Sequence, residues 1–241
     1  MFFRQFLHEE RACLSYLVGC PTKGLCAAID PQGDPARYIR EMNQHGMQIS
    51  HILETHIHAD HRSGALQLQQ QTGAPIYLGP GSDVYFEHNE LVDGQVLEVG
   101  NRRIRVIHTP GHTPEHVCLL GDDWYLLTGD TLFVGDVGRV DLAEGTLSTD
   151  DLENRASQLY QSLQKLLGLP DWTEVYPAHY AGSVCGRGMD GKTISTIGHE
   201  RRNNPAFQMD AAAFIRSQTQ NLPPLPEDFL AIKEENLGRG D

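Results

Sequence analysis

Between residues 56 and 61 the chain reads His56-Ile-His58-Ala-Asp60-His61, four side chains with metal-binding donors in six positions. Imidazole and carboxylate are ligands of zinc, iron and manganese, and a tight coordination shell needs donors that arrive from several directions. A single loop covers too few directions, so the fold has to bring other loops to it. Thr-Pro-Gly-His112, Thr-Gly-Asp130 and Pro-Ala-His179 supply suitable donors, each just after an apolar run that reads as a strand. Loops beyond the carboxyl ends of strands are where open α/β sheets gather ligands. The chain is thereby constrained to an α/β fold whose strand ends converge on a metal. His8, His45, His51, His88 and His199 lack such company and read as ordinary surface or core residues.

Hydrophobic patterning supplies the strands. Apolar runs at 13 to 18 and 25 to 29, separated by Gly19, Pro21 and Gly24, predict paired strands and a turn. Asp34 and Pro35 suit a helix start, with an apolar face continuing through Ile39 and from Met42 to Met47. Ile49 to Leu53 reads as a buried strand entering the His cluster, and Ser63 to Gln71 as a helix ending at Gly73. Strands are expected at Ile76 to Leu78, Val96 to Val99, Ile104 to His108, Val117 to Leu120, Trp124 to Thr128 and Trp172 to Tyr176. Residues 149 to 167 form an amphipathic helix with Leu152, Leu159, Leu163 and Leu166 on one face. These readings divide the chain into a catalytic domain over residues 1 to 205 and a C-terminal helical extension and tail over 206 to 241. The stretch from Asn221 reads as extension or linker rather than a second core.

Composition narrows the partners. A net charge of −13 with only 19 Lys and Arg argues against a nucleic-acid surface, which needs clustered cations. No apolar run approaches the roughly 18 residues of a membrane span, and Met1 to Glu10 lacks the layout of a secretory signal, so a cytoplasmic location is expected. Cys13, Cys20, Cys26, Cys118 and Cys185 are an odd set without Cys-x-x-Cys spacing, which disfavours a disulfide framework or a structural zinc site. Oligomeric state is left open, a homodimer included.

The stretches Thr-His56-Ile-His58-Ala-Asp60-His61, Thr-Pro-Gly-His112-Thr-Pro, Gly-Asp130-Thr-Leu-Phe and Tyr-Pro-Ala-His179 resemble the metal motifs of the metallo-β-lactamase superfamily, over residues from about 10 to 200. The resemblance implies a four-layer αββα sandwich, two mixed sheets flanked by helices, with the metal at one sheet edge and a short C-terminal extension. Superfamily membership leaves the reaction open. The stretches from Gly135 to Leu142 and from Ser195 to Pro205 resemble persulfide dioxygenases, and Ala181-Gly-Ser-Val-Cys185-Gly resembles members fused to a rhodanese domain, none of which follows here. A rhodanese in the same pathway is therefore expected. Hydroxyacylglutathione hydrolase (glyoxalase II) shares every metal motif. Its C-terminal glutathione-binding helices are usually longer than the stretch following His179, and its segment after Gly-Arg normally differs from Val140-Asp141-Leu142. One departure from the dioxygenase pattern is that Tyr180 follows His179 directly.

By resemblance, one iron(II) per chain would be held by His56, His112 and Asp130, with zinc as the alternative metal, and glutathione persulfide would be oxidised by dioxygen to sulfite and glutathione. His58, Asp60, His61 and His179 would then orient ligands or handle protons. In the hydrolase alternative they would instead serve a second metal sharing an activated hydroxide. Glutathione carries carboxylates, so Arg139, Tyr180, Arg187, Lys192 and Arg201, which follow the metal motifs, are the candidate substrate contacts. Solvated charge is the competing reading for each, and Arg139 could equally pair with Asp141 or Asp136. Cys185, in a loop with Gly182, Gly186 and Gly188, is read as either a buried thiol or a relay for persulfide sulfur. A metal-dependent electron carrier or oxygen sensor fits the same ligands, against the lack of an attached flavin-binding segment.

Overall fold

A computed structural model describes residues 1–142 and 147–239. The first sheet is built from β1 (Phe2–His8), β2 (Cys13–Cys20), β3 (Leu25–Ile29), β4 (Gln48–Leu53), β5 (Ile76–Leu78) and β6 (Asn89–Glu90), in spatial order along the chain. Its early strands pair antiparallel, and the pairs from β3 to β6 run parallel. Parallel neighbours need crossovers. Helices α1 (Ala36–Gln44) and α2 (Ala65–Thr72) provide two of them. The Asp34 carboxylate accepts from the Ala36 N–H at the start of α1, and Gly73 ends α2 at φ 72°, as the turn residues predict.

The second sheet carries β7 (Val96–Val99), β8 (Arg102–His108), β9 (Val117–Gly121), β10 (Tyr125–Gly129), β11 (Glu174–Pro177) and β12 (Ser195–Thr196), in the order β12-β11-β10-β9-β8-β7. The pair β10 and β11 is parallel, bridged by α3 (Thr149–Leu167), whose first turn is capped by the Ser148 hydroxyl accepting from the Asp151 N–H. Helices α4 (Ile197–Asn203), α5 (Ala211–Thr219) and α6 (Phe229–Asn236) follow. Among the described residues no helix is long and apolar enough to cross a membrane.

Alternation along the strands produces three apolar layers. Leu14, Tyr16 and Val18 of the first sheet face Ile104, Val106 and Leu119 of the second. Leu17, Ala28 and Ile52 point the other way onto Tyr38, Met42 and Leu68 of α1 and α2. Leu120, Leu126 and Val175 pack on Leu159, Leu163 and Leu166 of α3 and on Phe214 of α5. This is the expected αββα sandwich. Helices α5 and α6 fall in the stretch read as a helical extension, whereas strand β1, the last strand β12 and helix α4 were not anticipated from the sequence. Their apolar periodicity is weak, and they are fixed by what they pack on.

The loop bearing His112 lies so close to α3 that no side chain fits at Gly111: φ is 144° and a Cβ there would sit 2.5 Å from the Leu159 Cα. Ser162 Oγ on the same helix donates to the Pro110 carbonyl at 2.7 Å. Gly111→Ala should therefore cost about 1–3 kcal/mol in backbone strain and shift His112 off its position. Thermal unfolding and metal retained after dialysis would both fall; wild-type values for the two would contradict this packing argument.

Candidate metal centre

Four strand ends meet at one end of the sandwich: His56 follows β4, His112 follows β8, Asp130 follows β10 and His179 follows β11. Donor atoms of His56, His112 and Asp130 all lie within 4.8 Å of one another, and all three residues are buried. The Asp130 Oδ2 atom is 3.4 Å from His112 Nε2 and 3.8 Å from His56 Nε2. His56 Nε2 and Asp130 Oδ2 have no hydrogen-bond partner. Buried polar atoms without partners are costly, and a cation held between these atoms would satisfy them together.

Surrounding groups fix which ring nitrogen faces that point. Thr55 Oγ1 donates to Asp30 Oδ2 at 2.9 Å and so accepts from His56 Nδ1 at 3.0 Å, leaving the lone pair on His56 Nε2. His112 Nδ1 donates to the Arg139 carbonyl at 2.6 Å, with the same result at His112 Nε2. The Asp130 backbone N–H donates to His116 Nε2 at 2.9 Å, so His116 is a neutral ring whose Nδ1–H faces Thr109 and Thr131. Burial, aided by His112, drives the His116 pKa down to about 3.

Around this trio lies a second layer of titratable groups. His179 Nδ1 is 2.6 Å from Asp130 Oδ1 and its Nε2 is 2.7 Å from Asp60 Oδ2. Carboxylates only accept, so both ring nitrogens donate and His179 is an imidazolium. Burial opposes that charge, but Asp130, Cys185 and Asp60 outweigh it and hold His179 well above the usual histidine range. Burial likewise pushes Asp130 up, while His179 and His112 pull it down to about 2. Asp60 Oδ2 also accepts from His61 Nδ1 at 3.1 Å and Cys13 Sγ at 3.2 Å. His58 turns aside: its Nε2 is 3.2 Å from Glu54 Oε2 and 3.3 Å from Asp30 Oδ1.

A family profile described as the Metallo-beta-lactamase superfamily matches residues 8–179, a span containing all four strand-end donors. The chain belongs to the metallo-beta-lactamase superfamily. A hydroxyacylglutathione hydrolase of Maricaulis maris is 35% identical over 241 residues, covering 96% of this chain and 86% of that protein. The chain spans only 56–60% of the length of several other curated relatives bearing that name. Among solved structures, a metallo-beta-lactamase from Staphylococcus aureus superposes with a TM-score of 0.93 at 36% identity, covering 98% of this chain and 73% of that one. ETHE1 from Myxococcus xanthus superposes with a TM-score of 0.85 at 29% identity, covering 100% of both chains.

Within this metallo-beta-lactamase scaffold the basic residues read from the sequence as substrate contacts have other partners. Arg139, 1% exposed, forks onto Asp141 at 2.6 and 2.7 Å and donates to the Pro223 carbonyl at 2.7 Å, so it braces the loop behind His112 and does not face a ligand. Arg187 donates to the Ser217 and Gln218 carbonyls at the end of α5. Arg201 binds Asp171 and the Leu167 carbonyl at the end of α3. Each guanidinium is drawn to free carbonyls where a helix or loop ends. Lys192 is exposed beside Asp190, and Tyr180 sits at the rim of the inter-sheet core. Cys185 is as buried as the other four cysteines and joins Asp130 and His179 within 4.8 Å.

Sequence reasoning missed Asp30, Glu54, Cys13, His116 and Asn236 at the superfamily's metal site. A signal existed for His116, four residues after His112. None existed for Asn236, which reaches back from α6: its Nδ2 donates to the His58 and His61 carbonyls at 2.9 and 2.8 Å, and its Oδ1 accepts from the Ser63 N–H at 2.9 Å. The stretch after Asn221, read from sequence as extension or linker, thus helps to hold the metal loop.

Proposed function

We propose that the chain is a persulfide dioxygenase, oxidising glutathione persulfide with dioxygen and water to sulfite and glutathione at a single non-haem iron. The observation that carries this reading is the clamp on His179. With both ring nitrogens engaged by Asp130 Oδ1 and Asp60 Oδ2, His179 offers no lone pair to a metal. His56, His112 and Asp130 Oδ2, grouped apart from it, form the two-His-one-carboxylate set typical of non-haem iron oxygenases. When bound there, iron(II) would supply the redox chemistry that joins the persulfide sulfur to dioxygen.

The chain's own residues do the rest. Thr55 and the Arg139 carbonyl hold His56 and His112 in the required tautomers, and His116 fixes the backbone of Asp130. His179 restrains Asp130 through Oδ1 and keeps a proton at Nε2 against Asp60. Likeness to ETHE1 along the whole of both chains supports the reading. A second reading, hydroxyacylglutathione hydrolase with two metals, is favoured by the similarity to hydrolases of that name. Cys13, Asp60, His61 and His179 lie close enough together to hold a second ion in that reading, which would require His179 to give up its proton to Asp60.

The two readings part on metal count and oxygen. Protein purified without added metal should contain one iron per chain and consume oxygen with glutathione persulfide, with little hydrolysis of S-lactoylglutathione. His61→Ala and His179→Ala should keep the iron and slow turnover about 10- to 100-fold, as changes to groups behind the ligands usually do. Two metals per chain lost together in these variants, with thioester hydrolysis and no oxygen uptake, would establish the hydrolase instead.

A further inference from the structure

The basic candidates near the metal motifs being otherwise engaged, recognition of an anionic substrate has to come from elsewhere. A cavity of about 340 Å³ opens beside the metal loop, lined by Glu9, Glu10, Arg11, His61, Arg62 and Ile232 among others. His61, 6% exposed, links that cavity to the metal loop. Arg11 and Arg62 flank the cavity, and each is paired with a carboxylate from the C-terminal segment. Arg11 Nη2 is 2.8 Å from Asp228 Oδ2 and Arg62 Nε is 2.6 Å from Glu235 Oε2.

Both pairs are exposed, at 49% and 49% for Arg11 and Asp228 and 69% and 48% for Arg62 and Glu235. Exposed pairs of this kind are worth about 0–1 kcal/mol and exchange readily. Helix α6 does not depend on them: Phe229 and Ile232 are buried, Asn236 holds the metal loop, and the Tyr85 N–H donates to the Leu237 carbonyl at 2.8 Å. Asp228 and Glu235 lie at the two ends of α6, so their side chains can swing off while the helix stays docked.

We infer that Arg11 and Arg62 are the pair that recognises the substrate's carboxylates, and that Asp228 and Glu235 stand in for those carboxylates in the free protein. The inference rests on the reading of the substrate as a glutathione derivative. Glutathione carries two carboxylates and one ammonium, which matches a cavity with two guanidinium groups and the carboxylates of Glu9 and Glu10. Binding exchanges an internal ion pair for an external one at each arginine. The tail acids therefore set the threshold concentration at which substrate enters.

The test uses the full-length, metal-loaded chain, with oxygen uptake on glutathione persulfide and on the persulfide of a small uncharged thiol, and calorimetric binding of glutathione. Arg11→Gln/Arg62→Gln should raise KM for glutathione persulfide about tenfold with kcat unchanged, and Asp228→Asn/Glu235→Gln should lower it about threefold, magnitudes set by weak exposed pairs. Neither change should alter KM for the uncharged persulfide. Unchanged KM and glutathione binding in both double variants, or equal shifts for the uncharged persulfide, would overturn the inference. If no variant consumes oxygen, the dioxygenase reading has failed, and calorimetry still decides the arginine pair: glutathione binding weakened by the arginine changes and strengthened by the acid changes upholds it, and indifference refutes it.

Discussion

Asp130→Ala is expected to strip the centre of its metal and to cut oxygen uptake with glutathione persulfide by at least ~10³-fold, a loss of about 4 kcal/mol at the transition state. The size follows from the two jobs of one carboxylate. Oδ2 faces His56 and His112 as the anionic donor of the set, and Oδ1 accepts from His179 Nδ1. Truncation removes the donor and leaves a buried imidazolium with one carboxylate partner instead of two. Asp130→Asn separates the jobs, since an amide keeps an acceptor for His179 and turns its N–H donors toward His56 and His112. It should fold like the wild type and still lack metal. Elemental analysis and an oxygen electrode on both variants decide the matter, and stoichiometric metal with normal turnover in Asp130→Ala would sink the proposed ligand set.

Arg139→Met should be the most destabilising single change at a residue that holds no metal, by about 3–5 kcal/mol, the usual consequence of breaking a buried ion pair on one side. For a chain of this size that corresponds to a Tm lower by roughly 10 °C. The change would leave the Asp141 carboxylate buried without its fork of donors, and the Pro223, Pro224 and Val184 carbonyls would lose theirs. Because the Arg139 carbonyl orients His112, iron retention should fall as well. A melting curve separates this from the substrate-contact expectation drawn from sequence. A contact residue would leave Tm in place and raise KM for glutathione persulfide.

Much of the architecture was readable because the sheets are patterned at a period of two and the long helix α3 at a period near 3.6. Ile76 to Leu78, Val96 to Val99 and residues 149 to 167 coincide with β5, β7 and α3. The donors were readable for a related reason, since His56, His112, Asp130 and His179 each sit one to four residues beyond a strand. How they divide between ion and hydrogen-bonding layer was not. That division depends on where Glu54 and Asp30 draw His58, and on Asp60 and Asp130 gripping His179 from opposite sides. The partners of the arginines were not readable for a physical reason: a guanidinium near a motif in sequence is drawn to the nearest uncapped carbonyls, whose location only the fold reveals. Asn236 acts on His58 from 178 positions away, a separation over which local pattern carries no information.

His56 leaves the first sheet, whereas His112 and Asp130 leave the second. A bound ion therefore spans the seam between the two halves of the chain, like a rivet. While the protein is being made, no complete set of donors exists until the second sheet has formed and docked, so metal is acquired late and cannot nucleate folding. In the finished protein, any fluctuation that parts the sheets tears the coordination set in two, so that ion release and opening of the sandwich become one kinetic event. Ligation of the native state alone also deepens its stability in proportion to the logarithm of free metal, which makes the lifetime of the folded chain a readout of metal supply.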